Sequence, residues 1–113
     1  MKSIWVRAMY LTAFILLGSA VSFASTTGEV YISGVDVRND GTFIVSVNGT
    51  VTGGPACATV NNALSGDSST AGGKSLLQVA MSAFLSGKQV NLEGTGHCTQ
   101  FSQVESLSRL LVH

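Results

Sequence analysis

The side chains with the greatest chemical reactivity in this 113-residue sequence are two cysteines and two histidines. Cys57 and Cys98 could form a disulfide, provide a thiol nucleophile or supply part of a metal site. His97 directly precedes Cys98, and adjacent side chains of an extended chain point to opposite faces, so His97 is poorly placed to activate that thiol. Metal binding needs three or four convergent ligands. Two cysteines and two separated histidines do not supply them, and the sequence predicts no metal and no cofactor.

Acid–base or nucleophilic catalysis would need a nucleophile, a base and a group that orients the base. His97 could pair with Glu93 or Glu105, whereas His113 is the final residue. The simpler interpretation of His97 is a solvated loop histidine. Glu105 is predicted to be a structural partner of Lys74, Lys88 or Arg109. The sequence therefore predicts no catalytic residues, and we expect the protein not to be an enzyme.

Residues 1–24 have the pattern of a secretory signal peptide. Lys2 and Arg7 precede an apolar run, and small residues at Ser22 and Ala24 suit a signal peptidase. Cleavage after Ala24 would make Ser25 the first residue of the mature chain. The alternative is a retained membrane anchor, but the wholly apolar stretch is shorter than the roughly 20 residues that a spanning helix needs. We expect a secreted or periplasmic protein without a membrane segment after cleavage.

Export decides the interpretation of the cysteines, because two cysteines in a small oxidised domain most simply form one disulfide. Residues 25–113 form a single predicted domain of 89 residues. They carry four basic and six acidic residues, for a net charge of −2. That balance excludes a basic face for nucleic acid or anionic lipid. The sequence therefore predicts a Cys57–Cys98 disulfide and no nucleic-acid partner.

Alternating apolar residues predict strands in the first half of the mature chain. Residues 28–38 alternate and change phase at Gly34, which indicates a β-bulge. The Asn-Asp-Gly turn at 39–41 leads into a second strand around Phe43 to Val47. A short third strand is predicted near Cys57 to Ala63, followed by a loop over residues 65–70.

One helix and further strands are predicted in the second half. The helix runs from about Ala71 to Ser86, with Ser69 or Thr70 as its N-cap and Gly87 as its C-terminal cap. Residues 88–93 form a fourth strand, and the disulfide holds the loop at 94–98. Residues 103–112 fit either a helix or a strand. The predicted buried stripe of the helix comprises Gly73, Leu77, Ala80, Met81 and Phe84.

This order of elements predicts a mainly β protein with one α-helix. A helix between the third and fourth of five strands is the order of the OB-fold, a five-stranded Greek-key barrel. Barrel closure would remove exposed strand edges. The predicted architecture of residues 25–113 is therefore a single OB-like barrel.

Four stretches within residues 57–98 carry a family resemblance: Cys57, residues 69–74 (Ser-Thr-Ala-Gly-Gly-Lys), residues 83–90 (Ala-Phe-Leu-Ser-Gly-Lys-Gln-Val) and residues 94–98 (Gly-Thr-Gly-His-Cys). In these stretches the chain resembles small exported bacterial proteins related to the B subunit of subtilase cytotoxin and to pertussis-like toxin B subunits. The resemblance extends over residues 28–112 in layout. It implies an OB-fold, a glycan or protein partner and a homo-oligomer, namely a pentameric ring.

The chain also departs from the toxin pattern. Its mature part has no Trp, and sugar sites usually place an aromatic platform against the apolar face of the sugar ring. No sugar-binding residue can be transferred from the toxins, so the ligand-binding residues are unassigned. The resemblance thus implies a non-catalytic exported module that binds cell-surface glycans. The alternative is a stand-alone periplasmic or secreted interaction protein with no sugar site. The aromatic residues of the mature part are Tyr31, Phe43, Phe84 and Phe101.

Overall fold

The structure is a computed structural model that describes residues 25–113. The predicted signal peptide, residues 1–24, lies outside the described residues. Within residues 25–113, no helix has the length and apolar character needed to cross a membrane.

The described residues form one five-stranded sheet and one helix. All neighbouring strands are antiparallel, in the order β3-β2-β1-β4-β5. The helix lies between β3 and β4 in sequence, as predicted, and residues 107–112 are a strand rather than a helix. The elements are β1 (Thr26–Val37), β2 (Thr42–Val47), β3 (Ala63–Asp67), α1 (Ala71–Ser86), β4 (Gln89–Gly94) and β5 (Leu107–Val112).

The two edge strands of the sheet meet at one point. Ser65 on β3 and Ser106, just before β5, form a single parallel bridge. The Ser65 backbone N–H donates to the carbonyl oxygen of Glu105 at 2.9 Å. Among the described residues no continuous β3–β5 ladder follows this bridge, so the closed barrel predicted from the sequence is not found.

β1 belongs to both halves of the sheet. Its first part pairs with β4, from Thr26 to Tyr31, and its second part pairs with β2, from Ile32 to Val37. The register with β2 shifts between Ile32 and Gly34. This shift confirms the predicted irregularity at Gly34, where the alternation changes phase.

The core lies between the inner face of the sheet and α1. Alternation on β2 and β4 buries every second residue, which explains why these strands could be predicted from period two. The buried apolar side chains that pack together in this core are Val30, Ile32, Phe43, Val45, Val47, Leu64, Ala80, Ala83, Val90, Leu92 and Leu107.

The predicted position of the third strand is wrong. Cys57 to Asn62 form turns and loop, and the strand runs through Ala63–Asp67 instead. Ser65, Gly66 and Asp67 have the composition of a turn, but in the structure they belong to β3 and pair with β2. A Cβ at Gly66 would overlap the ring of Phe43, and the Ser65 hydroxyl donates to the Glu105 carbonyl at 3.1 Å. Glycine is therefore required at position 66 of β3.

The bounds and caps of α1 agree with the sequence prediction. The Thr70 hydroxyl accepts a hydrogen bond from the Gly73 N–H at 2.9 Å, and Gly87 has the left-handed conformation with φ of 68°. Ser69 is not the N-cap.

The predicted buried stripe of α1 is only partly correct. Gly73 and Ala80 are buried and Leu77 is half-buried, but Met81 and Phe84 are 36% and 39% exposed. Ala83 is buried in their place. Alanines at positions 80 and 83 allow the helix axis to approach the sheet, and the larger side chains then lie at the flank. Because apolar residues occur on several sides of this helix, periodicity did not define its buried side.

The hairpin turn between β1 and β2 holds a carboxylate in the ionised form. Asp40 Oδ1 accepts hydrogen bonds from the Thr42 hydroxyl at 2.6 Å and from the Thr42 N–H at 3.0 Å. The side-chain hydrogen bond from Thr42 is the main cause that lowers the pKa of Asp40 below its usual 3.8, and the backbone hydrogen bond adds to it.

Replacement of Thr42 by Ala is expected to raise the pKa of Asp40 toward 3.8. A lowered native pKa stabilises the fold above the unfolded-state pKa, and this contribution is lost as the pH falls through the lowered value. Carbon-detected NMR titration of the aspartates measures the shift. The matched control is Ser69→Ala, which removes the Ser69 hydroxyl bond to Asp67 and leaves both Thr42 hydrogen bonds to Asp40 in place. An Asp40 titration that does not change in the Thr42 variant would contradict the assigned cause.

Candidate ligand-binding cleft

The disulfide connects two loops at one end of the sheet. Cys57 follows β2 and Cys98 follows β4, and their sulfurs are 2.08 Å apart with the Cα atoms 6.3 Å apart. The structure thus pairs the two cysteines that the sequence predicts to pair. The disulfide holds the loop at residues 53–57 against the loop at residues 95–98.

A cleft of about 400 Å³ lies between these two loops. One wall comes from the loop after β2 and the other from the loop after β4. Half of the lining residues are glycines, which have only backbone atoms to present to the cleft. The residues that line the cleft are Gly53, Gly54, Pro55, Thr95, Gly96 and His97.

Both walls are anchored to the sheet by backbone hydrogen bonds. Thr52, next to Gly53, exchanges two hydrogen bonds with Thr26 on β1, at 3.0 and 2.9 Å. On the other wall, the Thr95 N–H donates to the Ser106 carbonyl and the Ser106 N–H donates to the His97 carbonyl, each at 2.8 Å. The loops that bound the cleft are therefore held in place by hydrogen bonds to the sheet and by the disulfide.

The Glu105 carboxyl group lies next to two of the glycines that line the cleft, Gly54 and Gly96. Glu105 is 1% exposed. Its Oε2 accepts hydrogen bonds from the Ser25 hydroxyl at 2.6 Å and from the Gly96 N–H at 2.8 Å. Its Oε1 is buried and has no hydrogen-bond partner within the described part of the chain. A buried carboxylate oxygen without a partner is energetically costly and calls for an explanation.

Glycines make room for this carboxylate. A Cβ at Gly94 would overlap the Glu105 carboxyl group, and a Cβ at Gly54 would lie 3.3 Å from Oε1. Gly54 and Gly96 both line the cleft. The carboxyl group is thus close to the cleft without being one of its lining groups.

The predicted partners of Glu105 are wrong. Lys74 and Lys88 are not its partners, and Arg109 pairs with Glu93 at 3.4 Å on the outer face of β4 and β5. The segment before β5 turns Glu105 inward because Ser106 is held between β3 and the loop at 95–99. In the sequence, the nearby apolar residues Val104 and Leu107 were the sign that Glu105 lies inward. Its charge favoured a position on the surface.

The two histidines occupy opposite ends of β4. His97 follows the end of β4 and is exposed in the cleft. His113 donates its backbone N–H to the Gln89 carbonyl at the start of β4, and its Nε2 lies 3.9 Å from Glu29. Glu105 bonds Ser25 and Gly96 rather than His97. In residues 25–113, His, Cys, Asp and Glu side chains do not converge in a group of three that would hold a metal ion.

The arrangement offers groups that suit a small polar ligand. Glycine N–H and carbonyl groups, the Thr95 hydroxyl and the His97 imidazole surround the cleft, and the Glu105 carboxyl group lies close to it. Pockets of this size commonly bind a small molecule through a few fixed polar groups. Apart from the imidazole, none of the six lining residues is aromatic, so an aromatic platform for a sugar ring is missing from the lining.

A second exposed feature is an apolar ridge on α1. Met81, Phe84 and Leu85 are exposed by 36%, 39% and 78%. Their spacing places them together along one flank of the helix. Residues 75–87 contain no charged side chain, so the ridge is apolar in a neutral surrounding.

The sequence prediction located part of this site. It identified the two cysteines and the constrained loop at 94–98, but it did not include Gly53, Gly54, Pro55 or Ser25. Comparison with models of protein families, with curated proteins and with solved structures finds no match to this chain.

Proposed function

We propose that this protein is an exported, non-catalytic binding module whose strands and helix are arranged as in an OB-fold, with the edges of the sheet joined at a single bridge. The strand order, the helix between β3 and β4 and the parallel bridge between Ser65 and Ser106 support that architecture. The disulfide supports a secreted or periplasmic location, because disulfides persist in oxidising compartments.

The cleft beside the disulfide is the proposed ligand site. The single observation that carries this proposal is the juxtaposition of a glycine-lined cleft with a buried carboxylate and one exposed histidine. The resemblance to toxin B subunits favours a glycan as the ligand. Sugar hydroxyls can both donate and accept, which matches the backbone groups, Thr95 and His97 on the two walls.

Replacement of His97 by Ala is expected to weaken glycan binding about 2–10-fold, the effect of losing one hydrogen bond. The ligand is first identified on a glycan array with the processed protein, and its affinity is then measured by NMR titration. His113→Ala is the matched control, because this histidine lies at the other end of β4. Equal losses in both variants would place the sugar elsewhere.

The alternative function is a stand-alone interaction protein with no sugar site. The lack of an aromatic platform in the lining of the cleft favours this second candidate. A monomeric protein that binds no glycan would discard the toxin-like proposal and support the alternative.

The ridge is also the proposed contact between copies of this chain in a pentameric ring. Several weak sites presented together raise avidity by about 10²–10⁴, and a neutral apolar ridge imposes no charge repulsion between copies. Leu85→Glu is expected to convert the oligomer to monomer in light-scattering measurements. Ser75→Glu, which adds the same charge to an exposed serine on the helix well before the ridge, is expected to leave the oligomer intact. A pentamer unaffected by Leu85→Glu would exclude the ridge as the contact.

A further inference from the structure

The buried carboxyl group of Glu105 has no ion-pair partner among the described residues, and one of its oxygens has no hydrogen-bond donor there. The ion pairs within residues 25–113 are Arg38–Asp36, Arg109–Glu93 and His113–Glu29. None includes Glu105, although it is the most deeply buried acidic residue of that region. Two hydrogen bonds satisfy Oε2, and Oε1 is left without a partner. A buried polar oxygen without a hydrogen-bond donor is energetically costly, so Oε1 is the atom at which a further partner is expected.

Ser25 is in direct contact with the Glu105 carboxyl group. Ser25 is fully buried, and its hydroxyl donates to Glu105 Oε2 at 2.6 Å. The same residue is held in place by Gly94, whose N–H lies 3.1 Å from both the Ser25 carbonyl oxygen and the Ser25 hydroxyl. The Ser25 α-nitrogen is joined to this hydroxyl through Cα and Cβ alone, so it lies in the immediate neighbourhood of the carboxyl group.

The predicted processing changes the chemistry of that nitrogen. In a chain that continues before Ser25, the nitrogen is a neutral amide with one N–H. Signal-peptide cleavage after Ala24 converts it to an α-ammonium group, which has three N–H donors and a positive charge at neutral pH. We propose that the new N-terminus of the processed protein binds Glu105, with the Ser25 ammonium as the partner of Oε1.

This pairing would make the fold sensitive to the position of cleavage. Gly54 and Gly94 lie close to the carboxyl group, and the Gly96 N–H donates to it, so few positions remain from which another donor could reach Oε1. An extended N-terminus would leave Glu105 buried without its cation. The processed chain that begins at Ser25 is therefore more stable than a chain longer by even a few residues. This inference rests on the export part of the proposed function and is independent of ligand binding.

The test compares four exported proteins made from the full chain. One pair has the natural junction, and the other has Gly-Thr inserted between Ala24 and Ser25, which keeps the cleavage motif and lengthens the mature N-terminus. Each is made with Glu105 and with Glu105→Gln. N-terminal sequencing verifies the first residue, and urea denaturation gives the unfolding equilibrium constant.

With Glu105 present, the insertion is expected to raise the unfolding constant by roughly 100-fold or more, as when one partner of a buried ion pair is removed. In the Glu105→Gln pair, the insertion is expected to change it by less than about 3-fold, since no ion pair remains to be broken. Equal effects in both backgrounds would overturn the proposal. A natural-junction protein that begins at a residue other than Ser25 would overturn it as well.

A second measurement keeps the proposal testable if Glu105→Gln does not fold. The Ser25 α-amine of the natural-junction protein is acetylated with acetic anhydride near neutral pH and followed by mass spectrometry. An ammonium bound to a carboxylate loses its proton less readily, so its acetylation is expected to be about 10-fold or more slower than that of the inserted N-terminus. Equal acetylation rates would contradict the pairing. A glycan array on the same proteins reports ligand binding separately.

Discussion

Loss of the Cys57–Cys98 disulfide is expected to lower the free energy of unfolding by about 2–5 kcal/mol. The two cysteines are 41 positions apart, and the chain-entropy model gives about 4 kcal/mol for a loop of that size. A single small domain has a limited apolar core, so this contribution is a large fraction of its total stability. The same change would release the two loops that bound the cleft.

The measurement is urea denaturation of the double variant Cys57→Ser/Cys98→Ser and of the natural protein with and without a reductant. Reductant should destabilise the natural protein and leave the double variant unchanged, which separates the disulfide from other effects of the reducing agent. Mass spectrometry after alkylation provides an independent check. Two alkylated thiols in the unreduced exported protein would show that the disulfide is not formed.

Replacement of Gly73 by Ala is expected to destabilise the protein by about 2–4 kcal/mol, within the range of severe overpacking. A Cβ at Gly73 would overlap the backbone carbonyl of Asp67 and would lie 2.8 Å from the Thr70 hydroxyl oxygen. Thr70 is the N-cap, so the overlap also disturbs the hydrogen bond that begins α1. The backbone of β3 cannot move away without disrupting the sheet.

Gly72 provides the matched control for this prediction. A Cβ at Gly72 meets no atom within 4 Å, and alanine is a better helix former than glycine by up to about 1 kcal/mol. Gly72→Ala is therefore expected to stabilise the protein slightly, whereas Gly73→Ala destabilises it. Denaturation curves of the two single variants measure both effects. Stabilisation by Gly73→Ala would contradict the close approach of the Gly73 Cα to the Asp67 carbonyl group.

Local patterns in the sequence predicted those elements whose signals are local. The N-cap at Thr70 and the left-handed Gly87 define α1 through chemistry within one helical turn. The alternation in β2 and β4 follows from burial of one face. The loss of phase at Gly34 also lies within one strand and was recognised for that reason.

The failures concern contacts between distant segments. β3 contains Ser-Gly-Asp, a turn-like triplet, and only the ring of Phe43 on the neighbouring strand explains why glycine is needed there. The buried side of α1 depends on how closely Ala80 and Ala83 approach the sheet. Glu105 has the charge of a surface residue, and its inward position depends on Ser25, which lies 80 residues earlier. Such pairs leave no periodic signal along the chain.

The division of β1 between two partners has a consequence for the order of folding. Val37 and Phe43, a pair between β1 and β2, are close in sequence, whereas Thr26 pairs with Glu93 on β4. Closure of the short loop is fast and loses little chain entropy, while the long-range pairing is slower. The β1–β2 hairpin is therefore expected to form before β4 has joined the sheet. The first residues of β1 then remain unpaired until the chain has been made as far as β4, near its end.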